Sequence, residues 1–251
     1  MASLSEIVAF MDRELRIAEI PDYPGAHNGL QLENGGTVRK VAAAVDASLS
    51  VIEGAIEAGA DLLLVHHGMF WQGAQPVTKA VYRKLKTAMD AGLAIYSAHL
   101  PLDVHPLLGN NALLLEALGF SSSGTFMNFK SLPAGLTAEV EISRDELVKR
   151  TAAAVGSAVH VCPGGPALVR KLGIVTGGAG SEVAAAAAAG IDTFLTGEGP
   201  HWSYPLAEEL GINVIYAGHY ATETFGVKAL AGRLEVDFGL AGCFIDRPTG
   251  L

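Results

Sequence analysis

Two spacings of apolar residues alternate along the first hundred positions. Ile7, Phe10, Met11 and Leu15 recur at helical spacing behind a Ser3–Glu6 capping box, which predicts a helix over about 4–18. Residues 21–29 read as a loop. Residues 38–45 are a short apolar run with Asp46 at its end, which predicts a buried strand. Residues 49–58 then read as a helix closed by Gly59, a residue that tolerates the left-handed C-cap backbone. The order repeats with a strand at 61–65, a helix at 77–91 ended by Gly92, a strand at 94–98 and a helix at 110–118 before Gly119. Strand–helix alternation of this kind predicts an α/β fold with largely parallel sheets.

The middle of the chain breaks the alternation. Residues 136–142 alternate as a strand, Ser143 and Glu146 form a second capping box for a helix through Ala154, and 158–162 read as a further strand. Pro163-Gly164-Gly165-Pro166 is a clear break. The pattern then returns: strands at 171–176, 192–196 and 214–216, helices at 181–189 and 205–210, and a helical tail over 225–233.

The return is also a repeat. At a constant offset of 131, residues 40–71 lie over 171–202 without a gap. Lys40/Lys171, Ser50/Ser181, Ala55/Ala186, Ala58/Ala189, Gly59/Gly190, Asp61/Asp192, Leu64/Leu195, Gly68/Gly199 and Trp71/Trp202 coincide. Past the next helix, Ile95-Tyr96-Ser97-Ala98-His99 lies over Ile215-Tyr216-Ala217-Gly218-His219 at an offset of 120. A carboxylate follows each histidine by four residues, Asp103 and Glu223. The expected architecture is two similar α/β halves from an internal duplication, 1–124 and 125–251. The second half includes the strand–helix–strand segment at about 125–168. Polar residues of both halves are expected to converge in the cleft between them.

Composition narrows the function. The chain has 251 residues, a net charge of −9 and 17% charged residues against a usual ~25%. Half its residues are hydrophobic, which rules out intrinsic disorder. An acidic chain without a Lys/Arg run is a poor match to phosphate backbones, so nucleic acid is not an expected partner. Cys162 and Cys243 are the only cysteines and form no CxxC pair, so a thiolate zinc site is excluded; two buried thiols in a reducing compartment are expected. Charged residues interrupt the N-terminus early, and the longest uncharged stretch, 151–169, carries Pro163, Gly164, Gly165 and Pro166. The expectation is a cytoplasmic protein with no membrane partner.

The chemistry-bearing residues cluster at predicted strand ends. His66-His67-Gly68 closes the strand at 61–65, where open α/β sheets bind ligands. His219 and Glu223 share a helical face if a helix begins by His219. Asp103 follows the rigid segment His99-Leu100-Pro101-Leu102. For a lone histidine a satisfied loop residue is the better reading; for an adjacent pair at a strand end, a ligand is. His66, His67, Asp103, His219 and Glu223 make three imidazoles and two carboxylates. That is too many for one tetrahedral zinc and suits two divalent ions sharing a carboxylate. The donor set fits Zn, Mn, Fe, Ni or Co without selecting one. His99, Glu198 and His201 are candidates for moving protons. Gly177-Gly178-Ala179-Gly180 reads as a tight strand-to-helix turn, since it lacks the lysine of a phosphate loop.

These residues resemble the Nif-three-like family, whose members are often named GTP cyclohydrolase I type 2 homologues. The matching segments are Asn28-Gly29-Leu30-Gln31, Val65-His66-His67-Gly68, His99-Leu100-Pro101-Leu102-Asp103, Thr196-Gly197-Glu198 and Gly218-His219-Tyr220-Ala221-Thr222-Glu223. The resemblance implies a dinuclear metal site on His66, His67, Asp103, His219 and Glu223, with Glu223 as the bridge. It also implies two similar α/β domains and a toroidal homohexamer built from dimers. The chain has no room for the extra domain that longer members insert. The expected activity is hydrolysis of a small, nucleotide-like substrate by a metal-bound hydroxide. The alternative is a non-catalytic protein that binds metal, handles it or serves as a scaffold.

Overall fold

The computed structural model describes all 251 residues, and its contacts divide them into two units. The first unit is Met1–Leu102 with Gly226–Arg247, and the second is Asp103–Phe225 with Pro248–Leu251. The sequence reading places a single boundary near 124; the contacts instead return the C-terminal segment to the first unit.

The chain opens with β1 (Ala2–Ser3), α1 (Leu4–Glu14), β2 (Gly29–Leu32), β3 (Thr37–Val38), β4 (Lys40–Asp46), α2 (Leu49–Glu57), β5 (Leu62–His67), α3 (Lys79–Asp90) and β6 (Ala94–Ser97). It continues with α4 (Leu100–Asp103), α5 (Asn110–Ala117), β7 (Gly124–Phe129), β8 (Leu132–Ser143), α6 (Arg144–Val155), β9 (His160–Pro163) and β10 (Leu168–Val175). A short 3-10 turn (Gly180–Glu182) leads to α7 (Val183–Ala188), β11 (Thr193–Thr196), α8 (Ser203–Leu210), β12 (Asn213–Tyr216), α9 (His219–Thr222), α10 (Thr224–Phe238) and β13 (Ala241–Phe244).

In the first unit the sheet order is β13-β4-β5-β6-β2. The pairs β13–β4, β4–β5 and β5–β6 are parallel, and β2 closes the edge antiparallel to β6. Alternate residues of the central strands sort to the two faces. Ala42, Ala44, Leu63, Val65 and Ile95 pack with Val51, Ile52 and Ala55 of α2 and Ala88 of α3. On the other face Tyr96 is fully buried and its hydroxyl donates to Asp12 of α1 at 2.8 Å. Covering both faces is what lets these strands be apolar throughout. The start of α1 corrects one reading: Ser3 precedes the helix as expected, but its hydroxyl meets Ser5 and makes no cap to the backbone.

In the second unit the order is β7-β8-β10-β11-β12-β9. Only β10–β11 and β11–β12 are parallel; β7–β8, β8–β10 and β12–β9 are antiparallel. The sheet of this unit is therefore mixed, with the expected parallel pairing at its core and antiparallel strands on both sides. The reason lies in its middle segment. β7 and β8 form a tight hairpin, and β8 and β9 flank the parallel core on opposite sides. Leu172, Ile174, Leu195 and Ile215 face α5 and α6, while Phe194 and Val214 face α7 and α8. The Ser143 cap forms as read, its hydroxyl accepting the Glu146 N–H at 3.2 Å.

The offset of 131 recurs as geometry within each unit. Asp61 Oδ2 accepts the Arg39 and Lys40 N–H groups at 2.8 and 3.2 Å, and Lys40 Nζ donates to Ala58 O. Asp192 Oδ2 accepts the Arg170 and Lys171 N–H groups at 2.8 and 2.9 Å, and Lys171 Nζ donates to Ala189 O. Gly59 and Gly190 both adopt φ +71° at the helix end. The second likeness is displaced. Leu62 pairs with Ala94, and Thr193 pairs with Asn213, so the strand registers correspond at an offset of 119. His99 therefore corresponds by register to Gly218, one residue before His219. A slip of one residue along a strand exchanges its faces, so the two histidine–carboxylate elements are not equivalent positions.

Candidate metal centre

The first unit gathers three histidines. β5 carries His66 and His67 at its carboxyl end, and His99 follows β6. His66 is fully buried, and its Nδ1 donates to the Ala98 carbonyl at 2.9 Å. Because that carbonyl only accepts, the neutral ring keeps its lone pair on Nε2. His67 Nδ1 donates to Asp46 Oδ1 at 2.9 Å, made possible by the parallel register that sets Asp46 opposite His67. His99 Nδ1 donates to Asp22 Oδ1 at 2.9 Å. Ring centroids lie 4.8 Å apart for His66–His67, 4.9 Å for His66–His99 and 5.7 Å for His67–His99. One ligand nitrogen of each lies within 4.8 Å of the others.

The loops around this cluster are tied by amides. Asn28 Nδ2 donates to Asp22 Oδ2 at 2.7 Å and Asn28 Oδ1 accepts the His99 N–H at 2.7 Å. Gln31 Oε1 accepts the Met69 N–H, and its Nε2 donates to Ala26 O and His27 O. A Cβ at Gly68 would collide with the Gln31 amide, which is why glycine follows the double histidine. Asp22 remains ionised: burial pushes its carboxyl upward, but the His99 bond and charge, Asn28 and the Tyr23 N–H hold it below the usual aspartate range.

The second unit gathers Asp103, His219 and Glu223. Asp103 and Glu223 are buried, and a carboxylate oxygen of one lies within 4.8 Å of one of the other. Asn110, at the start of α5, donates to Asp103 Oδ1 at 2.7 Å. His219 Nδ1 meets Glu198 Oε1 at 2.9 Å, and its Nε2 meets Glu223 Oε2 at 3.2 Å. Burial lowers the His219 pKa, but Glu223 and then Glu198 outweigh it and hold the ring up to about 9. The ring thus lies between two carboxylates, one at each nitrogen.

The glycine run at 177–180 serves this approach. Gly177 has φ +70°, and a Cβ there would collide with Glu223 Oε1. Its carbonyl accepts the N–H groups of Gly197 and Glu198, and its N–H donates to Thr222 Oγ1 at 3.0 Å. The tight-turn reading of this run stands. A Cβ at Gly197 would lie 2.7 Å from His219 Cα, so the segment before Glu198 is also closed to side chains.

Not every candidate joins these groups. His201 is exposed in the turn before α8 and belongs to neither. His105 Nδ1 accepts the Leu107 and Leu108 N–H groups, a turn-forming role. Cys162 is buried as expected, but Cys243 is only partly so. Sequence reasoning missed Asp22 as a partner altogether. Asp46 could have been found, since it ends the strand beside the double histidine. No helix is long and apolar enough to cross a membrane.

The donor chemistry fits divalent ions: imidazoles held by acceptors at Nδ1, and buried carboxylates beside them. Comparison with known proteins agrees in extent with this fold. A "GTP cyclohydrolase 1 type 2 homolog" of Deinococcus radiodurans is 40% identical, covering 98% of this chain and 94% of that one. A solved structure described as "protein ybgI, unknown function" superposes with a TM-score of 0.92 at 36% identity over the whole of both chains. The crystal structure of TTHA1606 from Thermus thermophilus gives 0.88 at 38%, again over both whole chains. The family model for Duf34/NIF3 (NGG1p interacting factor 3) matches residues 2–249, which takes in the double histidine, Asp103, His219 and Glu223, and the chain therefore belongs to that family.

Proposed function

We propose that the protein is a dinuclear, divalent-metal-dependent hydrolase of a small, nucleotide-like substrate. His66, His67, Asp103, His219 and Glu223 hold the two ions in this reading, with Glu223 the shared ligand. The observation that carries it is the uniform preparation of the donors. His66 and His67 both commit Nδ1 to an acceptor, Asp103 is set by Asn110, and His219 stands against Glu223. Ions bound there supply Lewis acidity and acidify a coordinated water toward neutral pH.

The chain's own residues then have separate tasks. Asp46 and the Ala98 carbonyl orient the imidazoles. Glu198 accepts the His219 Nδ1–H at Oε1 and, being half exposed, can exchange protons with solvent. The curated relatives' name, GTP cyclohydrolase 1 type 2 homolog, supports a nucleotide-like substrate. The toroidal homohexamer is part of the same proposal, and light scattering at six times 26.0 kDa would bear it out.

The test is elemental analysis of the untagged protein beside a His66→Ala/Glu223→Ala variant, followed by a turnover panel of nucleotides, cyclic amides and phosphoesters. Two equivalents of a transition metal, lost in the variant together with turnover, support the reading. Metal without turnover on any compound turns it into a metal-binding or scaffold protein. Equal metal content in both proteins overturns the ligand assignment.

A further inference from the structure

We infer that Trp71 and Tyr23 form an aromatic subsite of the first unit that takes a planar heterocyclic ring, with the Trp71 indole N–H donating to an acceptor on that ring's edge. The inference rests on the hydrolase reading and deepens it, by naming the part of the substrate that these two residues hold. Trp71 Nε1 is buried and has no acceptor in the protein. A buried indole N–H ordinarily has one, and an orphan donor of this kind is matched to a group that arrives from outside. The fold does not impose the orphan. Trp202, at the matching position of the repeat, is half exposed and leaves none.

The indole is held from two sides. Its ring stands 4.7 Å from His99 at 83° and 5.7 Å from His67 at 78°. Its backbone is covered by the loop over 21–28, where a Cβ at Gly25 would lie 2.6 Å from the Trp71 carbonyl oxygen. The same loop sets the Tyr23 ring 6.4 Å from the indole at 54°, and the His27 ring edge-on to Phe70 at 5.6 Å. His27 adopts φ +44°, a strained state for a residue with a Cβ, and such strain persists only where the surroundings over-determine the backbone. Tyr23 is 49% exposed, so the aromatic pair runs from a buried donor to solvent. Aromatic surface favours a planar ring over a phosphate, and one placed donor on an apolar wall is the usual construction of a small-molecule site. Purines and pyrimidines carry the required acceptors, carbonyl oxygens and ring nitrogens, on their edges.

The experiment uses the chain's two tryptophans, since Trp202→Phe leaves Trp71 as the single one. Its emission is followed while the full-length protein is titrated with the 5′-monophosphates of guanosine, adenosine, cytidine and uridine, and with ribose 5-phosphate, which has the phosphate but no base. At least one nucleotide should quench it saturably, and ribose 5-phosphate should not. Calorimetric titration with that nucleotide should then give an affinity about 5–10-fold lower in Trp71→Phe, which keeps a ring but loses the donor. Tyr23→Ala should weaken binding as well, and both variants should match wild type in melting temperature and metal content. If ribose 5-phosphate quenches as strongly as the nucleotides, the subsite reads phosphate and the inference falls. If no nucleotide quenches, or Trp71→Phe binds like wild type, it falls too, and a full metal content in the same protein leaves the hydrolase reading standing. Loss of metal in Trp71→Phe would make Trp71 a support of the metal centre and likewise overturn the inference. Saturable quenching by a nucleotide in a protein without metal or turnover keeps the subsite and removes the hydrolase.

Discussion

At the scale of single residues, the candidate centre depends on side chains that touch no proposed ion. Asp46 fixes the His67 ring through one 2.9 Å bond. Asp46→Asn should lower transition-metal affinity about 10–100-fold, measured by competition with a chromophoric chelator, with little change in the melting temperature of the metal-free protein. An unchanged affinity would mean that His67 needs no orientation. Gly177 makes the opposite contribution, by lacking a side chain where Glu223 approaches. Its φ of +70° already disfavours alanine, and the collision adds to that. Gly177→Ala should cost about 1–3 kcal/mol in chemical denaturation and reduce metal content at the same time. Of this scale, the sequence shows the ligand candidates well, because two adjacent histidines before a glycine are rare. It does not show Asp22, which lies 77 positions from His99 and meets it only through folding.

At the scale of elements, the recurring unit is strand, helix and strand closed by one aspartate. Asp61 gathers the N–H groups of Arg39 and Lys40 at the start of β4. The Arg39 side-chain bond and these N–H groups outweigh burial and hold the Asp61 carboxyl below its ordinary value of 3.8. Its folded pKa is lowered, so its stabilisation is complete above 3.8 and is lost as pH falls through the folded value. Asp61→Asn should therefore cost about 1 kcal/mol at neutral pH, and the gap to wild type should close below pH 3.8 in acid melts. A gap independent of pH would assign the effect to shape alone. Helix and strand periods made the elements legible, with ends shifted by a few residues. The one-residue difference between the 120 offset in sequence and the 119 offset in register was not legible, since only hydrogen-bonded pairing sets which residues stand opposite.

At the scale of the molecule, the chain leaves its first unit at Leu102 and returns at Gly226. β13 then pairs in parallel with β4, and Ile245 packs against the core beneath α2. Truncation after residue 225 should expose the β4 edge and this apolar surface. We expect loss of the cooperative transition in calorimetry, and a truncated chain that melts like wild type would contradict the pairing. Metal is expected to act on the whole fold through mass action. Each ion at a hundredfold excess over its dissociation constant adds about 2.7 kcal/mol, or roughly 5–10 °C in melting temperature for a chain of this size. Chelation should remove that increment, and readdition should restore it; an unchanged melt would mean that the ions do not prefer the folded chain to the unfolded one.

The sequence by itself determined the α/β alternation, the likeness at offset 131, and the segments that mark the family, because each is written in local spacing and residue type. Tertiary structure alone decided the mixed second sheet, the return of the C-terminal strand and the acceptors behind the histidines. Those depend on which distant segments pair. A sheet's strand order and a ring's hydrogen-bond partner are properties of neighbours in space, and residues 22, 46 and 241–244 acquire theirs only when the strands close.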